Sequence, residues 1–221
     1  MKAFKTAVLI AALFSISPFS LAGVLSFNIS GDASYINSEL TPYFSTGDNL
    51  NLQFTVDTAV PDGSTDSWFS WYTQLSAMTF SIGNTDGTVP SYIASVADEP
   101  DCVTYTCGDV WAAEGKNDFG TVFDFPIFGN YALDIVHLEY RDDSAAALSS
   151  DVMADSIDNL SNFTNWKLAF YFKDTVNPGN DRVVISAINP TVTISEVPEP
   201  GPLLLLALGL VGLGFVRHKQ R

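Results

Sequence analysis

The feature that most constrains this chain is a two-residue rhythm. From Asn49 to Asp57, Leu50, Leu52, Phe54 and Val56 alternate with Asn51, Gln53 and Thr55. Successive side chains on a strand point to opposite faces, so the pattern specifies a strand with one face buried and the other in water. Leu25, Phe27 and Ile29 repeat it, as do Met78, Phe80 and Ile82. Phe119, Phe123 and Phe125 follow, then Trp166, Leu168, Phe170 and Phe172. Turn-forming residues separate the runs: Pro61-Asp62-Gly63, Gly83-Asn84, Asp86-Gly87 and Asn177-Pro178-Gly179-Asn180. Many short strands between turns predict an all-β fold, an antiparallel β-sandwich of jelly-roll or Ig-like type.

Three segments depart from the simple rhythm. Between Ala132 and Tyr140, Leu133 and Ile135 fall on one parity and Val136, Leu138 and Tyr140 on the other, as in a strand covered on both sides. Pro190 interrupts the run from Arg182 to Ser195, and because proline donates no ladder hydrogen bond it predicts a bulge or an edge there. Ser144 to Leu160 carries Leu148, Val152, Met153, Ile157 and Leu160 at roughly helical spacing, but among frequent Ser, Asp and Asn. A short helix and a packed loop both fit.

Two apolar segments flank this body. Lys2 and Lys5, the run Ala7 to Ile16 and the small-x-small site Ser20-Leu21-Ala22 form the three parts of a secretory signal peptide over residues 1–22. Its apolar run is shorter than the ~20 residues that a membrane span needs. At the other end, Val197-Pro198-Glu199-Pro200 precedes the apolar run Leu203 to Val216 and the basic tail Arg217, His218, Lys219, Gln220, Arg221. Basic residues collect on the cytoplasmic side of a span, so the tail is expected inside and the body outside. Export then implies the Sec translocon and signal peptidase as partners. One domain is expected over residues 23–196, with 197–221 as a separate terminal segment.

Between residues 23 and 197 there are 24 acidic side chains and five basic ones (Lys116, Arg141, Lys167, Lys173, Arg182), a net of −19. Such a body is repelled by nucleic acid and by anionic membrane surfaces, and the acidity suits solubility outside the cell. Cys102 and Cys107 are the two cysteines. An exported chain with an even, closely spaced pair is expected to form a disulfide, given a turn or bulge between the two. Closing so small a loop contributes about 2 kcal/mol. Two thiols without further Cys or His are too few for a zinc site.

At Val197-Pro198-Glu199-Pro200 the chain resembles the PEP-CTERM proteins of Gram-negative bacteria, which share a Pro-Glu-Pro motif, an apolar Leu/Gly helix and a basic terminus in this order. The resemblance covers about a tenth of the chain, and Gly201-Pro202 stands where Ser-Thr is more usual. It implies recognition by exosortase, a membrane-embedded thiol enzyme that processes the tail during delivery to the cell surface. It also implies association with exopolysaccharide and biofilm matrix. The physical parts agree: prolines 198, 200 and 202 hold an extended handle. Fourteen residues at ~1.5 Å each make a helix shorter than the ~30 Å hydrocarbon core, a temporary anchor. The basic side chains Arg217, Lys219 and Arg221 fix its direction. The body is similar, more loosely, to other PEP-CTERM bodies at Val56-Asp57-Thr58, Pro61-Asp62, Phe80 to Gly83 and the final Thr-Ile-Ser. No activity attaches to those features.

Motifs of chemistry are sparse. His137 is the body's only histidine, and no nucleophile elbow, zinc-binding helix or phosphate loop is present. The chain is therefore expected to be no enzyme and to need no cofactor. A secreted glycoside-active hydrolase using carboxylates such as Asp124, Asp134 or Glu139 is one alternative. A carbohydrate-binding module or adhesin is another, with Trp68, Trp71 and Tyr72 stacking on sugar faces, although aromatic residues more often fill cores. Asp98, Glu99 and Asp101 near the cysteine loop, and Asp142 and Asp143 near a strand end, are candidates for a structural calcium, which takes oxygen ligands from loops of this kind.

Overall fold

A computed structural model describes residues 23–65, 68–74, 76–98, 108–116, 123–144 and 146–197. The described strands are β1 (Val24–Asp32), β2 (Tyr35–Ile36), β3 (Asn49–Asp57), β4 (Phe69–Gln74), β5 (Met78–Ile82), β6 (Thr85–Val89), β7 (Tyr92–Ala97), β8 (Asp109–Lys116), β9 (Tyr131–Asp142), β10 (Asn165–Asp174), β11 (Val183–Ile188) and β12 (Thr191–Glu196). They build two antiparallel sheets, a five-stranded one in the order β12-β1-β3-β5-β6 and a seven-stranded one in the order β2-β11-β10-β9-β8-β7-β4. Strands β7 to β11 are neighbours in sequence order, an antiparallel meander to which β4 and the two-residue β2 add the edges. The architecture is a β-sandwich with, among the described residues, one short α-helix, α1 (Met153–Asp158).

The alternation read from the sequence is what faces the core. Phe27, Ile29, Leu50, Leu52, Phe54, Val56, Met78, Phe80 and Ile82 are all buried on the five-stranded sheet. They meet Trp111, Val136, Leu138, Tyr140, Leu168, Phe170 and Phe172 from the seven-stranded one in a single cluster. An aromatic stack spans the layers. Phe27 lies 4.8 Å from Phe54 and 5.2 Å from Trp111, and Tyr140 meets Trp111 edge-on at 5.5 Å. The indole N–H of Trp111 points at the Met153 sulfur, 3.2 Å away, so α1 is tied to the stack's end.

Several expectations need correction. The mixed parity of β9 has a bulge as its main source, although Ile135, on the outer face, is buried as well. Tyr171 faces Ile135 while Phe172 faces Leu133, which leaves Asp134 as an extra residue. This bulge shifts the parity, so Leu133 below it and Val136, Leu138 and Tyr140 above it turn to the same core. Asn189-Pro190 is neither a bulge nor a strand position: it links β11 of one sheet to β12 of the other, with Asn189 at φ 51°. Asp86-Gly87 lies inside β6 and not in a turn, and glycine suits position 87 because the Phe80 ring occupies the space a Cβ there would need. The tight turn is Gly83-Asn84, where Gly83 takes φ 57°. Phe123 is buried, but the described residues after it form isolated bridges such as Thr88 to Asp124, and Phe119 lies outside the described residues. Both alternatives for residues 144–160 hold in part: a loop and then α1, with Val152 exposed.

Candidate functional site

The outward face of the seven-stranded sheet concentrates the body's positive charge. Lys116 on β8, Arg141 on β9 and Lys167 and Lys173 on β10 all have the parity opposite to the core positions. Arg182, just before β11, joins them by pairing with Asp134 in the bulge. His137 stands at the centre of this face, opposite Glu114 on β8 and Ala169 on β10. Its Nδ1 lies 3.1 Å from Glu114 and its Nε2 3.2 Å from Glu139, and its side chain is 17 % exposed. Burial opposes protonation, but the two carboxylates outweigh it and push the imidazole up to about 9. Hydrogen bonds from the same ring hold Glu114 and Glu139 below the usual carboxylate range. The ring is thus an imidazolium at neutral pH with both N–H groups donated, and it has no lone pair to act as a base.

A histidine whose pKa is raised by folding stabilises the protein fully below its unfolded value of ~6.5, and the contribution is lost as pH rises through about 9. Unfolding free energy measured by denaturant titration is therefore expected to decline between pH 6.5 and 9, by on the order of 2 kcal/mol. His137→Gln should flatten that decline. A wild-type profile already flat over this range would show that the cluster contributes nothing.

The second concentration of polar chemistry is at the edge strand β4. Its inward positions are Ser70, Tyr72 and Gln74, and its outward ones Phe69, Trp71 and Thr73. Tyr72 is therefore a core residue and not a sugar contact, with only its hydroxyl at the margin, near Asp151 and the Met153 N–H. Trp68 is exposed, and its ring lies 5.8 Å from Phe69. Trp71 is half-buried and, with Thr73, Ser91, Tyr92 and Ile93, lines an open hollow of about 430 Å³.

The loop Pro61-Asp62-Gly63 fixes Trp71 in place. Asp62 Oδ1 accepts the Ser64 and Trp71 N–H groups at 2.8 and 3.1 Å, and the Gly63 N–H donates to the Trp71 carbonyl at 2.9 Å. Burial works against the Asp62 carboxylate, but these hydrogen bonds and the Ser70 hydroxyl hold it below its usual range. Gly63 is needed for packing as well, because a Cβ there would lie 2.6 Å from the indole carbons. One side of the ring is therefore pressed against backbone.

The same end of the sandwich holds a row of aspartates with core parity. Asp109 opens β8 directly opposite Asp142 at the end of β9. Asp98 follows β7 one step beyond the Ala97–Val110 pair, which sets it beside Asp109. Asp142 is saturated, accepting from the Ser144 hydroxyl at 2.6 Å and the Ala146 N–H at 3.0 Å. Asp174, at the far end of β10, caps the next turn through the Val176 and Asn177 N–H groups. Of the carboxylates considered for hydrolysis, Asp134 is engaged by Arg182 and Glu139 by His137, while Asp124 pairs with Thr88 through its backbone.

Glu99, Asp101, Cys102, Cys107, the signal segment 1–22 and residues 198–221 lie outside the described residues. Val197, the first residue of the sorting segment, is described: its N–H donates to the Val24 carbonyl at 2.8 Å, where β12 leaves the sheet. The body therefore ends paired against β1 right at the Pro-Glu-Pro sequence. Among the described residues, no helix is long and apolar enough to cross a membrane.

A family model for the PEP-CTERM protein-sorting motif matches residues 196–219. The chain carries this sorting motif. No curated protein and no solved structure matches it. The PEP-CTERM motif marks the chain as an exported protein addressed to exosortase, with transient anchoring through the C-terminal tail. It covers the tail alone, so the body must be read from its own surface.

Proposed function

We propose that this protein is a non-catalytic surface or matrix component that passes through the periplasm, is cut by exosortase, and then associates with exopolysaccharide. The PEP-CTERM tail supports delivery, and the preset Trp71 ring beside an open hollow carries the sugar reading. Pyranose rings present C–H faces that stack on aromatic surfaces, and a ring already held in place loses little freedom on binding. Thr73 and Ser91 supply hydroxyls at the rim. The imidazolium of His137, held between Glu114 and Glu139, and the pairing of Asp134 with Arg182 favour binding over hydrolysis.

The reading is tested on a glycan array. The mature protein should bind a subset of polysaccharides, and Trp71→Ala should weaken that binding by at least tenfold while leaving the thermal unfolding midpoint within a few degrees. Trp68→Ala should have a smaller effect. Binding that survives Trp71→Ala unchanged would move the sugar site elsewhere. Release of reducing ends from any bound glycan would instead favour the hydrolase.

A further inference from the structure

The aspartate row poses an electrostatic problem that the protein's own cations do not solve. Like charges directly opposite on neighbouring strands repel. Asp98, Asp109 and Asp142 nevertheless stand side by side at the ends of three adjacent strands, all on the core-facing side. Asp151 approaches from the loop before α1 and shares the Ser70 hydroxyl with Asp62, at 2.9 and 2.8 Å. One hydroxyl donates one hydrogen, so it can satisfy only one of those two carboxylates. All five Lys and Arg side chains of the body belong to the opposite face of the same sheet, as described above.

Asp109 is the sharpest case. It is 0 % exposed; its Oδ2 accepts the Leu148 N–H at 2.7 Å, while its Oδ1 is buried without a hydrogen-bond partner. A buried carboxylate oxygen is left in that state only at a cost.

We propose that Asp98 and Asp109 together bind a calcium ion at this end of the sandwich. The donors are all oxygen, which selects a hard cation, and they come from strand ends next to loops, which suits the irregular six- to eight-fold shell of calcium better than the strict octahedron of magnesium. Among the described residues, no three Asp, Glu, His or Cys side chains are grouped to hold a metal. The ion therefore bridges two carboxylates, takes carbonyl and water oxygens for the rest, and draws on Asp151 and Asp142 for field. The site keeps one acid, Asp98, from the trio expected from sequence and adds one that spacing alone could not find. An exported module works at the high calcium of its surroundings, so an affinity of about 10⁻⁴ to 10⁻³ M suffices.

The test uses the full chain in detergent, at neutral pH and constant ionic strength, with unfolding midpoints recorded in EGTA, in calcium chloride and in magnesium chloride. Calcium at a hundredfold excess over its Kd should raise the midpoint by about 5–10 °C, and magnesium should do much less. Asp109→Asn keeps an acceptor for the Leu148 N–H but removes the charge. It should raise the midpoint in EGTA and abolish the calcium response. Asp98→Asn should abolish the response too, and serves if the first variant folds poorly. Asp86→Asn, on the outer side of β6, should respond like wild type. Equal responses to calcium and magnesium would mean diffuse screening of an acidic body and would overturn the proposal. So would a calcium response that persists in both variants.

Discussion

Trp111→Ala should cost the body about 3–5 kcal/mol, the range for emptying an aromatic site that cannot collapse. The site is of that kind. Trp111 is fully buried, stacked on Phe27, met edge-on by Tyr140, and its N–H closes on the Met153 sulfur. Removing the indole empties the contact between the sheets and unties α1 together. The unfolding midpoint should fall by roughly 10 °C, given ~2–4 °C per kcal/mol for a body of this size. Trp68→Ala is the matched control: the ring is 45 % exposed and the change should stay within about 0.5 kcal/mol. Equal losses at the two positions would mean that the sandwich is not centred on the Phe27–Trp111 stack.

The second large effect is expected at the bulge. Arg182→Ala should destabilise by about 3 kcal/mol, because it leaves the Asp134 carboxylate, 6 % exposed, without its cation. The reverse change is cheaper. Asp134→Ala removes the buried partner and leaves Arg182, already 36 % exposed to water, and should cost about 1 kcal/mol. The double variant should therefore resemble Asp134→Ala and be more stable than Arg182→Ala alone. Additive losses in denaturant titrations would show that the two side chains act independently.

Asp134 also marks the limit of what pattern reading can reach. Strands with clean alternation, such as β3 and β5, were legible residue by residue, since parity and burial agree wherever register is regular. A bulge inserts one residue and reverses parity midway, and in a single sequence this looks like a strand buried on both faces. The Asp86-Gly87 pair misled for a related reason: Gly is a turn residue by local chemistry, but here it makes room for the Phe80 ring from the neighbouring strand. At the candidate sites, Trp71 was legible as part of an aromatic group, but only the strand's pleat shows that it faces outward while Tyr72 faces inward. The Asp98–Asp109 pair was not legible, because a strand register, and no sequence spacing, brings them together. The terminal motif was fully legible, because a sorting signal is read by its receptor as linear sequence.

In this reading the acidic sandwich is a cargo and residues 197–221 are its removable address. The most direct measurement is the C-terminal mass of the protein recovered from its native cell surface or medium. Loss of the apolar run Leu203 to Val216 and of the basic tail, with an end at or near Pro198-Glu199-Pro200, is the predicted result. Recovered material that uniformly ends in Arg221 would contradict it and leave the tail a permanent anchor.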